Sequence, residues 1–564
     1  MLADFGLPLF PPASIMSSGM KITRLLALTF TLATPFLPGV DEPTPGLIDS
    51  HIAARSGGPL APRSDDAEFF RRAQLDLAGI IPRGSAVRAF LENAATDKRR
   101  DLIDELLESD EFARHWSDLL SVELLKRQNL GKISRKEWHG YLFACLKKTP
   151  RWDTMVREMV TATGRGPERP AMKFLGAGGH RRMTEDIALL FLGMDLECAR
   201  CHDHPSVKAW TQADYWGLYA YLGWTKAATS SKDKKEYLVE VLGKTEIEYQ
   251  SVFESVSDTT GPRLPGLREK AMPVLGEGEE FSRPAENGLP PVPKFLPRRQ
   301  LAIDLTSPAN IAFARNSVNR FWARLLGRGI VHPLDQVHPR NPPSHPKLIE
   351  ALAGRFIAKG FDLKWLLRSI LLSDAYQRSS RLPAKTRSVE PRSYRAALPR
   401  PLTPEQLLHS ILRATGNLDR VKALKADPAE KFDRKGYFTG SHRNLPGSYD
   451  EIRAIFIQTF GRPPGEPETE FVPGLNQSLF LMNDRLLLSW LEPIEGNLVH
   501  RLAALKTPGA IAGELYLSVL SRLPDEVETA ELENYLEENH RRRAAALGEL
   551  AWALLNSTEF RLNH

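Results

Sequence analysis

Cysteine is scarce in this chain: three residues in 564, two of them inside one four-residue stretch. That count excludes a fold stapled by several disulfides. No Gly-rich phosphate loop, no G-x-S-x-G and no H-E-x-x-H occurs. Nucleotide hydrolysis, serine-esterase and zincin chemistry therefore lack the residues they need. After residue 40 no apolar run is long enough to span a bilayer. Charge of one sign is lacking too, since 75 basic residues face 69 acidic ones and leave a formal +6. The signs are interspersed, as in Asp97-Lys98-Arg99-Arg100-Asp101. Such mixing serves solubility and argues against nucleic acid as a partner. No repeat of fixed period is present.

What is there reads as globular, with 42% hydrophobic and 26% charged residues. The length calls for more than one ordinary core. Met20-Lys21-Ile22-Thr23-Arg24 is a basic start, Leu25 to Leu37 is a short apolar run, and Pro38-Gly39 breaks it. This has the layout of a signal peptide. Residues 1–44 are expected to be an upstream extension plus that signal, and the mature protein periplasmic, secreted or on the cell surface. No stable transmembrane segment is expected once the signal is removed.

Helical periodicity dominates the remainder. Ser64 is expected to cap a helix carrying Phe69, Phe70, Ala73 and Leu77 and ending at Gly79. Thr184-Glu185-Asp186 reads as another helix start, and Thr211-Gln212-Ala213-Asp214 as a capping box. Val318, Phe321, Trp322, Leu325 and Leu326 share a face that Gly327 stops. Between about 226 and 297, partly alternating segments such as Tyr237–Leu242 give way to Pro and Gly. The expectation is a mainly α protein: two helical domains, 45–225 and 298–564, joined by a small β-containing, Pro/Gly-rich excursion over 226–297.

Several blocks carry a family resemblance. They are Phe70-Arg71-Arg72-Ala73-Gln74-Leu75-Asp76-Leu77 through Pro82, Cys198-Ala-Arg-Cys-His-Asp-His-Pro205 and Trp210 to Leu218. In the second half they are Ala314 to Ala323, Gly327 to Pro333, Asn341 to Pro346, Ser373 to Gln377 and the ending Leu554 to Phe560. In this order the chain resembles the planctomycete secreted cytochrome-like domain followed by planctomycete secreted domain one. Both are domains of unknown function, so the resemblance implies architecture and compartment more than a reaction. The stretch Ser206-Val207-Lys208-Ala209 is a variable part of the pattern.

The chemistry-bearing segment is Cys198-x-x-Cys201-His202. Two thiols three apart can form thioethers to both vinyl groups of a haem, and the adjacent histidine supplies an axial nitrogen. On that reading Cys198 and Cys201 anchor haem c, His202 ligates the iron, and His204, His180 or Met183 are candidates for the second ligand. The role would be electron transfer or redox work with a redox partner. Three other readings stand beside it: a short-loop disulfide, a zinc site completed from elsewhere, and a redox-active dithiol. The disulfide fits a non-enzymatic secreted scaffold without cofactor that assists a companion secreted degradative enzyme.

Weaker signals lie elsewhere. His332, His338 and His345 with Asp335 suggest a second metal site, although histidines beside proline more often rigidify loops. Arg315, Asn319 and Arg320 are expected to fix a loop through polar pairing. Trp210, Trp216, Trp224 and Trp322 are expected in the core, although tryptophan can also stack on sugars. Cys145, among apolar neighbours, reads as a small buried hydrophobe.

Overall fold

The computed structural model describes residues 44–564, apart from 177–178, 245, 254, 256, 274, 383–384, 426–431, 440–444 and 469–473. The expected signal segment lies outside the described residues, except that Thr44 opens the helix Thr44–Ala53. Helices dominate, and strands occur among the described residues as four two-stranded pairs. The protein is mainly α. No helix among the described residues is long and apolar enough to cross a membrane.

Local chemistry explains where the helices begin and end. Asp66–Ala78 is capped by Asp65, whose side chain accepts from the Glu68 amide, and Gly79 ends it at φ 70°. The cap thus lies one residue beyond Ser64, because the carboxylate three positions before Glu68 reaches its free N–H. Asp110–Leu125 starts at Ser109, which accepts from the Phe112 amide. The capping box at Thr211 and Asp214 forms as expected and opens Gln212–Leu222. Thr184 does not start a helix. It lies inside His180–Ile187 and its hydroxyl donates to the His180 carbonyl at 2.8 Å. Ile311–Leu326 ends at Gly327, at φ 79°.

Residues from both halves build one core. Aromatic rings run from Trp116 to Phe321 (6.1 Å), Trp152 (5.3 Å from Phe321), Phe191 (6.2 Å from Trp152) and Phe313 (6.4 Å from Phe191). This series draws Trp116, Trp152 and Phe191 from the first half of the sequence and Phe313 and Phe321 from the second, and residues 43–564 form one compact unit. Three of the strand pairs lie between 225 and 293, the longest joining Thr225–Thr229 to Glu236–Glu240 with Thr225 opposite Glu240. That pair is tied to the helix Pro297–Leu305. Arg298 is fully buried, pairs with Glu240 at 3.5 Å and donates to the Ala162 carbonyl at 3.1 Å.

A charged knot closes the molecule on itself. The Asp76 carboxylate accepts from Arg400 (2.8 and 2.9 Å), the Tyr376 hydroxyl (2.8 Å) and Asn563 (2.8 Å). Arg72 donates to the carbonyls of Tyr376 (2.6 Å), Arg378 (2.7 Å) and His564 (3.0 Å) and to Glu68 at 2.6 Å. A short antiparallel pair, Arg400–Pro401 with Leu562–Asn563, holds the C-terminal strand there. The Phe70–Pro82 block is therefore a structural clamp on the end of the chain. Buried charges this fully bonded avoid the large penalty of an unpaired ion.

Candidate functional site

The approach to Cys198 is set by backbone. Helix His180–Ile187 continues as a wider turn over Ala188–Leu192, and Gly193 ends it at φ 71°. A Cβ at Gly193 would lie 2.5 Å from Val337 Cγ2 and 2.6 Å from Asn316 Oδ1, so only glycine lets the loop 335–337 close on it. That loop docks through Val337 N–H to the Gly193 carbonyl (2.9 Å) and Asp195 N–H to the Asp335 carbonyl (3.1 Å).

Cys198–Arg200 is a 3₁₀ turn. The amides of Cys201 (3.2 Å) and His202 (3.4 Å) both donate to the Cys198 carbonyl. Residues at i and i+3 of such a turn lie over one another, which puts the Cys198 and Cys201 side chains on one side, with His202 the next residue along. Cys198 is exposed and Cys201 half-buried, and both are free thiols, as is Cys145. The buried residue of the turn is Ala199.

The downstream helix holds the loop from below. Asp203 accepts from the Gln212 amide at 2.8 Å, and the Trp216 indole donates to the Arg200 carbonyl at 3.2 Å. Val252 N–H donates to the Cys201 carbonyl at 3.0 Å, bringing Phe253 to 5.0 Å from the His202 ring. Phe253 is 79% exposed, so solvent rather than core lies behind it.

The two histidines of the motif are in opposite states. His202 Nδ1 lies 2.7 Å from the Asp203 carbonyl, which can only accept, so Nδ1 carries the proton and Nε2 keeps its lone pair. This is the arrangement that metal-ligating imidazoles use. His204 Nδ1 instead accepts from the Ser206 (3.2 Å) and Val207 (3.0 Å) amides, so in the neutral ring Nε2 carries the proton. Its ring stands at right angles to Trp210 at 5.1 Å, and the His338 ring also stands at right angles to Trp210, at 5.2 Å. Burial, then the nearby His204 and Arg340, hold His338 below its ordinary range. Arg340 reaches across to the Ser206 carbonyl at 2.6 Å. The variable stretch is thus the contact for a second-half loop.

The other candidate ligands are engaged. His180 Nε2 donates to the Thr225 carbonyl at 2.6 Å and Nδ1 faces the Tyr219 hydroxyl at 3.3 Å. Met183 is 1% exposed in the core. Among the described residues no group of three or more His, Cys, Asp or Glu side chains could hold a metal ion, at the loop or around His332, His338 and His345. His345 is buried and neutral, pushed down to about 4 by burial, then by Arg55 and His51. Arg315 pairs with Glu350 and Arg320 with Glu123, each at 2.7 Å, and Asn319 makes two bonds to the Val331 backbone. Trp210, Trp224 and Trp322 are core residues, whereas Trp216 is half-buried. Cys145 is also half-buried rather than buried, and burial next to Glu158 pushes its thiol up to about 11.

Comparison with protein families matches residues 47–227 to PSCyt2, a protein of unknown function (DUF1549), and residues 297–536 to PSD1, a protein of unknown function (DUF1553). The chain is a paired PSCyt2–PSD1 protein. No curated protein and no solved structure matches it. The Cys198–Pro205 loop lies in the PSCyt2 region, while His338 and Arg340, which brace it, come from the PSD1 region. Sequence reading missed that bracing. The signal that could have found it was the aromatic Trp210, five residues past Pro205, which needed partners for its ring.

Proposed function

We propose that this protein is an exported c-type haem carrier that exchanges electrons with a partner. Cys198 and Cys201 are its thioether anchors and His202 its axial ligand. The observation that carries the reading is the turn itself: two free thiols stacked three residues apart and followed at once by an imidazole whose Nε2 has no protein partner among the described residues. Haem attached there would supply reversible one-electron exchange. The protein's own part is to hold the imidazole by the Asp203 carbonyl and to keep the loop in place between Gln212, Trp216 and the 335–340 segment. Since His180, Met183 and His204 are each committed elsewhere, His202 is the single protein ligand in this reading. Export rests on the basic and apolar segments at residues 20–37 and would place the protein where c-type attachment occurs.

The experiment is expression with haem-maturation machinery, followed by a pyridine haemochrome spectrum and intact mass. The expected result is covalent haem on a chain cleaved after its apolar leader, lost in Cys198→Ala and Cys201→Ala. A chain without added mass in the same host defeats the haem reading.

One observation favours a second reading. Phe253 lies against the His202 ring, as it would in a loop whose purpose is packing. That reading is a secreted, non-enzymatic scaffold with a Cys198–Cys201 disulfide, assisting a degradative enzyme. Its signature is an intact mass lowered by the two thiol hydrogens.

A further inference from the structure

Away from the Cys198 loop, a cavity of about 780 Å³ opens between Asp110–Leu125 and Ile311–Leu326. This is the size of a small-molecule site, roughly 300–1,000 Å³. No residue of 198–205 lines it. Its walls hold six basic side chains against four carboxylates, a surplus of two positive charges.

Most of these charges are already paired. Glu123 is shared by Arg320 and Arg324 at 2.7 Å each. Burial opposes the ionised form of Glu123, yet Arg324 and Arg320 hold it below the ordinary glutamate range. Asp76 is taken by Arg400 at 2.8 Å, and Lys126 by Asp186 at 2.9 Å. Arg328 differs. No carboxylate among the described residues pairs with its guanidinium, and its Nε, like those of Arg320 and Arg462 on the same wall, is buried without a hydrogen-bond partner. Three further groups on the same wall are unused. The Asp335 carboxylate has no hydrogen bond or ion pair among the described residues. Asn563 Oδ1 and His115 Nε2 are also without partners, on residues 3% and 7% exposed.

We propose that this cavity binds an acidic sugar or similar polyhydroxylated carboxylate, with Arg328 taking the oxyanion. Lys126 and Arg462 are offset by Asp186 and Glu466 outside the lining, so the wall cation that selects an anionic group on the ligand is Arg328. The free Asp335 carboxylate and Asn563 Oδ1 can only accept, so they call for hydroxyl donors on the same ligand. A guanidinium without a carboxylate partner offers the paired donors a carboxylate matches. The site lies where the PSCyt2 and PSD1 regions meet, and it stands independently of the haem reading.

Calorimetric titration of the exported chain with glucuronate, glucose, alanine and inorganic sulfate tests this. Saturable glucuronate binding is expected, on the order of tenfold tighter than glucose or sulfate, with no heat from zwitterionic alanine. Arg328→Ala should weaken glucuronate by about tenfold or more and Arg328→Lys by less, at unchanged circular dichroism. Asp335→Asn should weaken it severalfold while leaving sulfate unaffected. No saturable glucuronate binding up to about 10 mM, glucose or sulfate binding as tightly, or an Arg328→Ala protein that binds like wild type overturns the proposal.

Discussion

The Cys198–Pro205 loop and the Asp76 knot are both polar, and both join the two family-matched regions, yet they spend their groups in opposite ways. At Asp76 every carboxylate lone pair is taken by Arg400, Tyr376 or Asn563, and the side chain is 5% exposed. At the loop the backbone does the holding. Carbonyls of Cys198, Arg200 and Cys201 accept the bonds, while the thiols and His202 Nε2 are left over. A polar cluster whose side chains are all consumed maintains shape. One whose side chains remain unspent can do chemistry.

The largest expected effect breaks the knot. Asp76→Ala leaves the buried Tyr376 hydroxyl and Asn563 amide, and the half-buried Arg400, without their carboxylate and should cost about 3–5 kcal/mol, read by urea denaturation. A loss under about 1 kcal/mol would mean that the knot is dispensable and the contrast false. Trp210→Ala removes a ring 2% exposed that contacts two imidazoles and should cost about 3 kcal/mol. It should also speed labelling of Cys198 and Cys201 by a thiol reagent, an effect Asp76→Asn should not share while folded.

The pH dependence is the next size down. Burial first, then His409 and Arg324, push His115 down to about 3. A depressed histidine binds its proton more readily when unfolded, so this stability is complete above about pH 6.5 and falls as pH drops toward 3. At pH 5 the loss should be roughly 2 kcal/mol, and His115→Gln should flatten that part of the curve. A melting temperature that is level between pH 7 and 5 would contradict the buried neutral imidazole. The smallest effect is expected at the loop. Cys198→Ser with Cys201→Ser should change stability by less than about 0.5 kcal/mol, because neither thiol is a core residue. A loss of several kcal/mol would move the pair from the chemical class into the structural one.

Much of the local structure was legible. The Thr211 capping box, the glycine stops at Gly79 and Gly327 and the apolar helix faces all formed, since each depends on residues within a few positions. The misplacements have local causes as well. Asp65 outcompetes Ser64 for the Glu68 amide, and Thr184 bonds back to His180 inside a helix that began four residues earlier. Of the candidate site, the short connection between two helices that carries Cys198, Cys201 and His202 was readable from the flanking helix signals. Its bracing by His338 and Arg340 was not, because the partners lie more than 120 residues away along the chain.

By itself, then, the sequence determined helix class, family and the spacing of Cys198, Cys201 and His202, because periodicity, capping and motif spacing are short-range properties. Only the tertiary structure decided which polar residues are free. His202 keeps a lone pair while His204 and His180 do not, Arg328 stands unpaired while Arg320, Arg324 and Arg400 are matched, and Asp76 ends as a strut. The reason is that a hydrogen bond is settled by distance and direction between groups remote in the chain, and nothing in residue type or spacing says which donor will meet which acceptor.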